Sequence, residues 1–190
     1  MTNNSKTTLS DDKIIEFILE SNDSRGFEQL YNRYYKKVVD KCYSFLKNRH
    51  QAEDMANDVM SKAYEKLSTF KSTASFSSWL YSITYNHCID FLRLKKKLHY
   101  PEWNQENALP EIIDDTDEDF TELNYKNLMS VFELIHPEEK AMLLMKYQDG
   151  ISIKDISIAL RISESAAKMR IKRAKTRAHY VYKEKYNESL

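Results

Sequence analysis

Apolar residues recur every three or four positions through most of the chain, which is the spacing of one face of an amphipathic helix. In the first half this spacing predicts long helices over residues 24–46, 51–70 and 76–97, preceded by a short helix that Ser10 can cap. The third of these helices is apolar on two sides, so we expect it to be buried on more than one face. Between the two apolar sides runs a narrow stripe of Trp79, Ser82, Asn86, Arg93 and Lys97.

The second half contains start and stop signals for several helices. Pro137, followed by two glutamates, favours a helix start, and Gly150 favours the end of that helix. Ser152 opens a further helix with a capping box, and its buried stripe is Ile153, Ile156 and Leu160. Residues 161–163 then form a tight turn, in which Ser163 can cap a longer basic helix. Two helices joined in this way predict a helix-turn-helix, whose second helix enters the major groove of DNA.

The basic helix after Ser163 has two different faces. The side that must be buried consists of Ala167, Ile171, Ala174, Ala178 and Tyr182. The opposite side consists of Ser165, Ala166, Met169, Lys172, Arg173 and Thr176, flanked by Lys168 and Arg170. Cations suit phosphates and guanine edges, and apolar atoms suit thymine methyl groups. The mixture therefore favours DNA binding over a helix that is only solvated.

Composition supports helices throughout. The chain of 190 residues has only two Gly and three Pro, and strand-like alternation is nowhere sustained, so we predict an all-α protein. No apolar run approaches the roughly 20 residues of a membrane span, and the N-terminus lacks the apolar core of a signal peptide. We therefore expect a cytoplasmic protein without membrane insertion. Cys42 and Cys88 lie in helical patterns without metal-ligand spacing, and we interpret them as reduced thiols in or near the core.

Charge divides the chain into three blocks, although the formal net charge is zero. Residues 1–100 contain 16 Lys and Arg against 12 Asp and Glu, a net of +4, and residues 123–190 contain 13 against eight, a net of +5. Residues 101–122 contain nine acidic residues, no basic residue and two prolines. This distribution predicts two small helical domains joined by an extended or disordered acidic linker.

Two further features allow more than one interpretation. The Ser/Thr-rich loop at residues 71–75 lies beside aromatic residues and near a basic helix end, so it could close around an unstacked base of a single strand. Glu53, Asp54 and Asp58, near His50, could ligate magnesium in a helical hydrolase. Matching carboxylates are not gathered on one face of a neighbouring helix, so an exposed or partner-binding face is favoured.

Three segments carry a more specific signal because they occur together and in order. They are AEDMANDVMSKAYEKL (residues 52–67), FSSWLYSITYNHCIDFLRLKKK (residues 76–97) and YQDGISIKDISIALRISESAAKMRIKRAK (residues 147–175). They resemble, respectively, the polymerase-clamp helix, the promoter-melting and −10-reading helix, and the −35-reading helix-turn-helix of bacterial sigma factors of the extracytoplasmic-function class. The resemblance covers about residues 24–180.

The resemblance implies an initiation factor without catalysis or cofactor. Core RNA polymerase would bind Asp54, Asn57 and Asp58 in domain 1–100. The −10 element would meet Lys71, Ser72, Thr73, Ser75, Trp79, Asn86, Arg93 and Lys97. In domain 123–190, the −35 element would meet Ser165, Lys168, Met169, Arg170, Lys172 and Arg173. It also implies that linker 101–122 threads through the polymerase, and that an anti-sigma factor is a further partner.

The sequence departs from the family in the helix-turn-helix. Arg161 stands where the family often has Gly in the turn, and a non-Gly residue with positive φ costs on the order of 1 kcal/mol there. Ala166 and Ala167 stand where the family often has a Thr-Val pair. The fold tolerates both changes, but base contacts cannot be transferred at those positions.

Two alternatives of a different class stay open from the residues alone. One is a dimeric helix-turn-helix regulator in which the first domain senses a signal or dimerises. The other is a metal-dependent helical hydrolase. Copurification with core polymerase distinguishes the initiation factor from both.

Overall fold

The computed structural model describes residues 9–21, 23, 25–71, 75–96, 120 and 123–186. In these residues the chain forms eight α-helices and no β-strand, which confirms the predicted all-α class. The helices are α1 (Asp11–Ser21), α2 (Arg25–Leu46), α3 (Arg49–Glu65), α4 (Phe76–Lys96), α5 (Tyr125–Phe132), α6 (Pro137–Leu143), α7 (Ile153–Leu160) and α8 (Glu164–Tyr186). The chain divides into two compact units, the first ending at Cys88 and the second beginning at Ile89, both within α4.

Helix α1 is fixed against α2 at both of its ends. Near its start, the Asp11 carboxylate accepts a hydrogen bond from the Tyr34 hydroxyl (2.5 Å) and pairs with Arg33. Burial and this bond to Asp11 raise the pKa of the Tyr34 phenol, so it remains a proton donor. Near its end, Ile18 lies so close to Gly26 that a Cβ atom added to Gly26 would be 2.6 Å from the Ile18 side chain. The short first helix predicted after Ser10 is therefore confirmed, and it is anchored to the first unit.

The structure changes the predicted bounds of the second long helix. It begins at Arg49 rather than at residue 51, because the Asn48 side chain accepts a hydrogen bond from the backbone N–H of Gln51 (3.0 Å). It ends at Glu65 rather than at residue 70, and a short 3₁₀ turn over Leu67–Thr69 leads to Phe70. Apolar residues continue at helical spacing after Glu65, and for this reason the sequence predicts a helix end that lies too far along the chain.

The core of the first unit lies where the apolar faces of α2, α3 and α4 meet. Its fully buried residues include Leu30, Val38, Cys42, Ala52, Val59, Ala63, Leu80 and Cys88. Both cysteines are thus core thiols, as the sequence predicts. A hydrogen bond with Cys42 and burial raise the pKa of the Cys88 thiol well above its usual range, which keeps it protonated.

The second unit contains the predicted helix-turn-helix and one helix that the sequence reasoning missed. The missed helix, α5, is capped by the Asn124 side chain, which accepts hydrogen bonds from the next turn (3.0 and 3.2 Å), and it buries Leu128, Val131 and Phe132. Helix α6 begins at Pro137 as predicted, and a π-helical turn over Leu144–Gln148 extends it toward Gly150 (φ 65°). Phe120, the one described residue of the predicted linker, is buried with its ring stacked on His179 (5.0 Å).

None of the helices in the described part of the chain combines the length and apolarity that crossing a membrane requires.

Candidate functional site

The helix-turn-helix is fixed by hydrogen bonds at each of its junctions. Ser152 caps α7, since its Oγ accepts a hydrogen bond from the N–H of Asp155 (3.1 Å) and donates one to the Asp155 carboxylate (2.6 Å). Arg161 ends α7 in the left-handed conformation, with φ 56° and ψ 44°. Ser163 then caps α8, since its Oγ accepts from the N–H of Ala166 (3.1 Å). These three positions set the direction of α8, and all three are predicted by the sequence.

Helix α8 presents the two faces expected from its pattern. The predicted inner face of Ala167, Ile171, Ala174, Ala178 and Tyr182 is buried throughout. On the outer face, Met169 keeps 51% of its surface exposed, and Lys172 is exposed beside the half-buried Arg173. The Ser165 hydroxyl is close to that of Ser163 (3.1 Å), and Lys168 pairs loosely with Glu164 (3.4 Å). The outer face therefore combines an apolar side chain with cations, which suits the edges and phosphates of duplex DNA.

Two arginines of α8 contact buried carboxylates of α6. Arg170 lies 3.4 Å from Glu138, and Arg177 lies 3.6 Å from Glu139, and both glutamate side chains are only 1% exposed. Burial raises the pKa of Glu139, and the charge of Arg177 opposes that rise. The two ion pairs tie the basic helix to α6, and they draw Arg170 toward the inside of the second unit.

Glu138 also binds Arg93, at the end of α4. The Nε of Arg93 donates to Glu138 Oε1 (2.7 Å), and a second guanidinium nitrogen donates to the same oxygen. Arg170 takes the other carboxylate oxygen. In the sequence, Glu138 is an acidic residue directly after a helix-starting proline. Nothing there indicates that its carboxylate binds two arginines, one assigned to the −10 element and one to the −35 element.

The loop and stripe assigned to the −10 element are described only in part. Lys71 is exposed, and Ser75 caps α4 by accepting a hydrogen bond from the N–H of Ser78 (3.2 Å). Trp79 is half-buried, with its ring 5.5 Å from that of Phe70 and 5.6 Å from that of Phe76. Asn86 is half-buried further along α4. The remaining predicted residues, Ser72, Thr73 and Lys97, lie outside the described residues.

The outer face of α3 carries the three residues assigned to polymerase. Asp54 and Asp58 keep 66% and 70% of their side chains exposed, and Asn57 is exposed between them. Each has a neighbour that the sequence reasoning did not assign to it. The Nδ1 of His50 lies 2.9 Å from Asp54, the Tyr31 hydroxyl donates to Asn57 Oδ1 (3.0 Å), and His87 lies 3.8 Å from Asp58. The His50–Asp54 spacing of four was readable in the sequence, whereas the other two contacts join different helices.

The carboxylates of α3 are not arranged as ligands. Within the described residues, no group of three or more His, Cys, Asp and Glu side chains converges in a way that would hold a metal ion.

Comparison with known proteins matches both halves of the chain. Residues 30–98 match Sigma-70 region 2, and residues 125–177 match Sigma-70, region 4. The extracytoplasmic-function RNA polymerase sigma factor SigW of Bacillus subtilis is 28% identical over 166 residues, which cover 83% of this chain and 89% of SigW. SigM of Mycobacterium tuberculosis, of the same class, is 26% identical over 82% of this chain and 76% of its own length.

Solved structures show the same fold. CnrH in complex with the cytosolic domain of CnrY matches with a TM-score of 0.57 at 19% identity, over 90% of this chain and 96% of CnrH. The sigma factor RpoE from Bartonella quintana, in complex with the anti-sigma factor NepR, matches with a TM-score of 0.54 at 16% identity. That match covers 83% of this chain and 96% of RpoE.

Proposed function

Because the chain belongs to the sigma-70 family, in its extracytoplasmic-function class, it is a promoter-specific initiation factor of core RNA polymerase, and we propose how its residues divide that work. Domain 1–100 binds polymerase and opens the −10 region, and domain 123–190 binds the −35 region. Residues 101–122 connect the two domains. The factor contributes no catalysis of its own, and it acts in the cytoplasm together with the polymerase.

The polymerase contact is the outer face of α3. Asp54, Asn57 and Asp58 lie on consecutive turns, project outward, and present two carboxylates that a cationic surface can bind. These three residues contribute little to the stability of the fold, because they are exposed while the opposite face of α3 is buried. This placement supports the proposed contact.

The two DNA contacts use different chemistry. Lys168, Met169, Lys172 and Arg173 face outward on α8, and we assign them to the −35 duplex together with Ser165. The −10 contact uses the loop from Lys71 to Ser75 with Trp79 and Asn86, because an unpaired strand needs a polar pocket and a ring to stack on. We assign Arg93 and Lys97 to the −10 contact and Arg170 to the −35 contact. Arg93 and Arg170 are bound to Glu138, so each must leave this carboxylate to reach DNA.

An anti-sigma factor is the proposed regulatory partner. The support is that RpoE from Bartonella quintana was solved in complex with the anti-sigma factor NepR, and CnrH in complex with the cytosolic domain of CnrY.

The observation that carries the proposal is the presence of both sigma regions, in order, with the second built as a capped helix-turn-helix. The test is run-off transcription with core polymerase and a library of promoters. We expect transcripts that depend on the protein and share two sequence elements. A dimer that binds duplex DNA by itself, does not associate with core polymerase, and supports no initiation would instead establish the helix-turn-helix regulator.

A further inference from the structure

Lys62 does not pair with the carboxylate one turn before it. Asp58 and Lys62 stand four residues apart on α3, in the order that favours an ion pair on a helix surface. In the structure the Lys62 ammonium instead lies 2.9 Å from Nδ1 of His87, on α4. No ion pair within 4 Å joins Lys62 to Asp58 in this described part of the chain. Asp58 therefore has no ion pair with the lysine one turn after it.

This contact defines the protonation state of His87. An ammonium group can only donate hydrogen bonds, so Nδ1 must accept, and the ring is neutral with its proton on Nε2. The Nε2 atom lies 3.8 Å from the Asp58 carboxylate and 3.4 Å from the Lys62 ammonium. The His87 side chain is 21% exposed, whereas Asp58 is 70% exposed. His87 is thus held between the two helices while Asp58 projects from them.

We infer that His87 is a positioning residue of the polymerase-binding face: it takes up the Lys62 ammonium and so leaves the Asp58 carboxylate available to a cationic group of core polymerase. This inference rests on the proposed role of Asp58. His87 does not itself contact polymerase. Its role is to accept the hydrogen bond of the Lys62 ammonium in place of the Asp58 carboxylate.

Protonation of His87 removes this effect. An imidazolium cannot accept from Lys62, so the ammonium is released and can pair with Asp58, and the new positive charge lies beside the same carboxylate. Both changes reduce the negative charge of the face. Histidine changes charge between about pH 5 and 8. Affinity for polymerase should therefore fall as the pH falls through that range.

Other charged and titratable groups also lie near this face. On α3, Arg49 pairs with Glu53 (2.7 Å) and contacts Asp40 of α2 (3.7 Å). His50 lies 2.9 Å from Asp54, and the carboxylate of Glu65 is exposed on the turn of α3 after Lys62. Because His50 is a second histidine on this face, a test of His87 needs a background in which His50 is replaced.

The first arm of the test is a double-mutant cycle at pH 8, with the dissociation constant for Bacillus subtilis core polymerase as the readout. His87→Ala should weaken binding about three- to tenfold, because Lys62 returns to Asp58. Lys62→Met should bind like the parent, and the double variant should recover the affinity that His87→Ala loses. A double variant as weak as His87→Ala would mean that His87 acts only through packing, and the inference would be wrong.

The second arm is a pH profile in a His50→Gln background. His87→Gln offers an amide oxygen to Lys62 and no titratable group, so it should bind like the parent at pH 8. It should lose the drop in affinity that the parent shows at pH 6. An equal drop in both proteins would overturn the inference. If the parent binds no core polymerase at either pH, with its helix content intact, the proposed function fails instead.

Discussion

Arg161 offers a stability prediction whose size can be worked out from the backbone. The residue ends α7 with φ 56° and ψ 44°, and the N–H of Ile162 donates to the Ser157 carbonyl (3.0 Å) across this turn. The Arg161 side chain is exposed and makes no hydrogen bond or ion pair in the described part of the structure. Replacing it with Gly therefore removes left-handed strain without removing a contact.

Two terms of opposite sign determine the gain. A residue with a Cβ atom pays about 1–2 kcal/mol for the left-handed conformation, whereas Gly pays none of this. Gly in turn makes the unfolded chain more flexible, which costs about 0.4–1 kcal/mol. The net stabilisation by Arg161→Gly is then about 0.5–1 kcal/mol. For a domain of this size that corresponds to a rise of about 3–6 °C in the midpoint of thermal unfolding.

Calorimetry of the full chain is the assay, with Arg161→Ala as the matched control. Alanine removes the same side chain but keeps its Cβ atom, so it should bring no comparable gain. Lys47→Gly is a second control, because Lys47 has φ 53° at the end of α2 and should raise only the transition of the first unit. If Arg161→Gly unfolds no later than Arg161→Ala, the strain at this turn has been overestimated and the argument fails.

The remaining predictions concern binding. Asp58→Arg should weaken the affinity for core polymerase and retain the helix content, as measured by pull-down and circular dichroism; unchanged affinity counts against the α3 contact. Arg173→Ala should cost about 1–3 kcal/mol on the cognate −35 sequence and less on a scrambled one, whereas Lys175→Ala should weaken both about equally and in a salt-dependent way. Equal losses for Arg173→Ala on both sequences would exclude base reading. Exchanging loop 71–75 for another Ser/Thr/Gly loop should change which −10 sequences open, as followed by permanganate reactivity of unpaired thymines; the same sequence preference would make the loop a connector.

Local signals in the sequence were sufficient for most of the fold. The capping serines, Pro137, Gly150 and the buried face of α8 are all short-range features, because each depends on residues within one or two helical turns. Helix α5 was missed because its three buried apolar residues span little more than one turn, and the end of α3 was misplaced because apolar spacing continues into a 3₁₀ turn. Short-range patterns predict which face of a helix is buried more accurately than the residue at which the helix ends.

Contacts between helices limited the prediction of the site. The sequence indicated which faces of α3 and α8 are exposed, but not what lies beside them. His87 and Lys62 are in contact although they are 25 positions apart in the sequence, and Glu138 and Arg93 although they are 45 positions apart. Nothing in helical spacing relates such residues, so their effect on Asp58 and on the arginines could be read only from the structure.

The ion pairs of α6 also bear on how strongly salt should oppose DNA binding. Between Lys168 and Arg177 the basic helix has six cations, and each phosphate that a cation neutralises contributes about −0.9 to the slope of log K against log salt. Two of the six, Arg170 and Arg177, have a buried carboxylate as their counter-ion, and while they keep that carboxylate they release no counter-ion from DNA. With both ion pairs intact this stretch should contribute a slope of about −3.6, and with Arg170 moved from Glu138 to DNA about −4.5, where counting all six cations would give about −5.4. A count of basic residues overstates the charge that a recognition helix offers to DNA when the fold itself supplies the counter-ions.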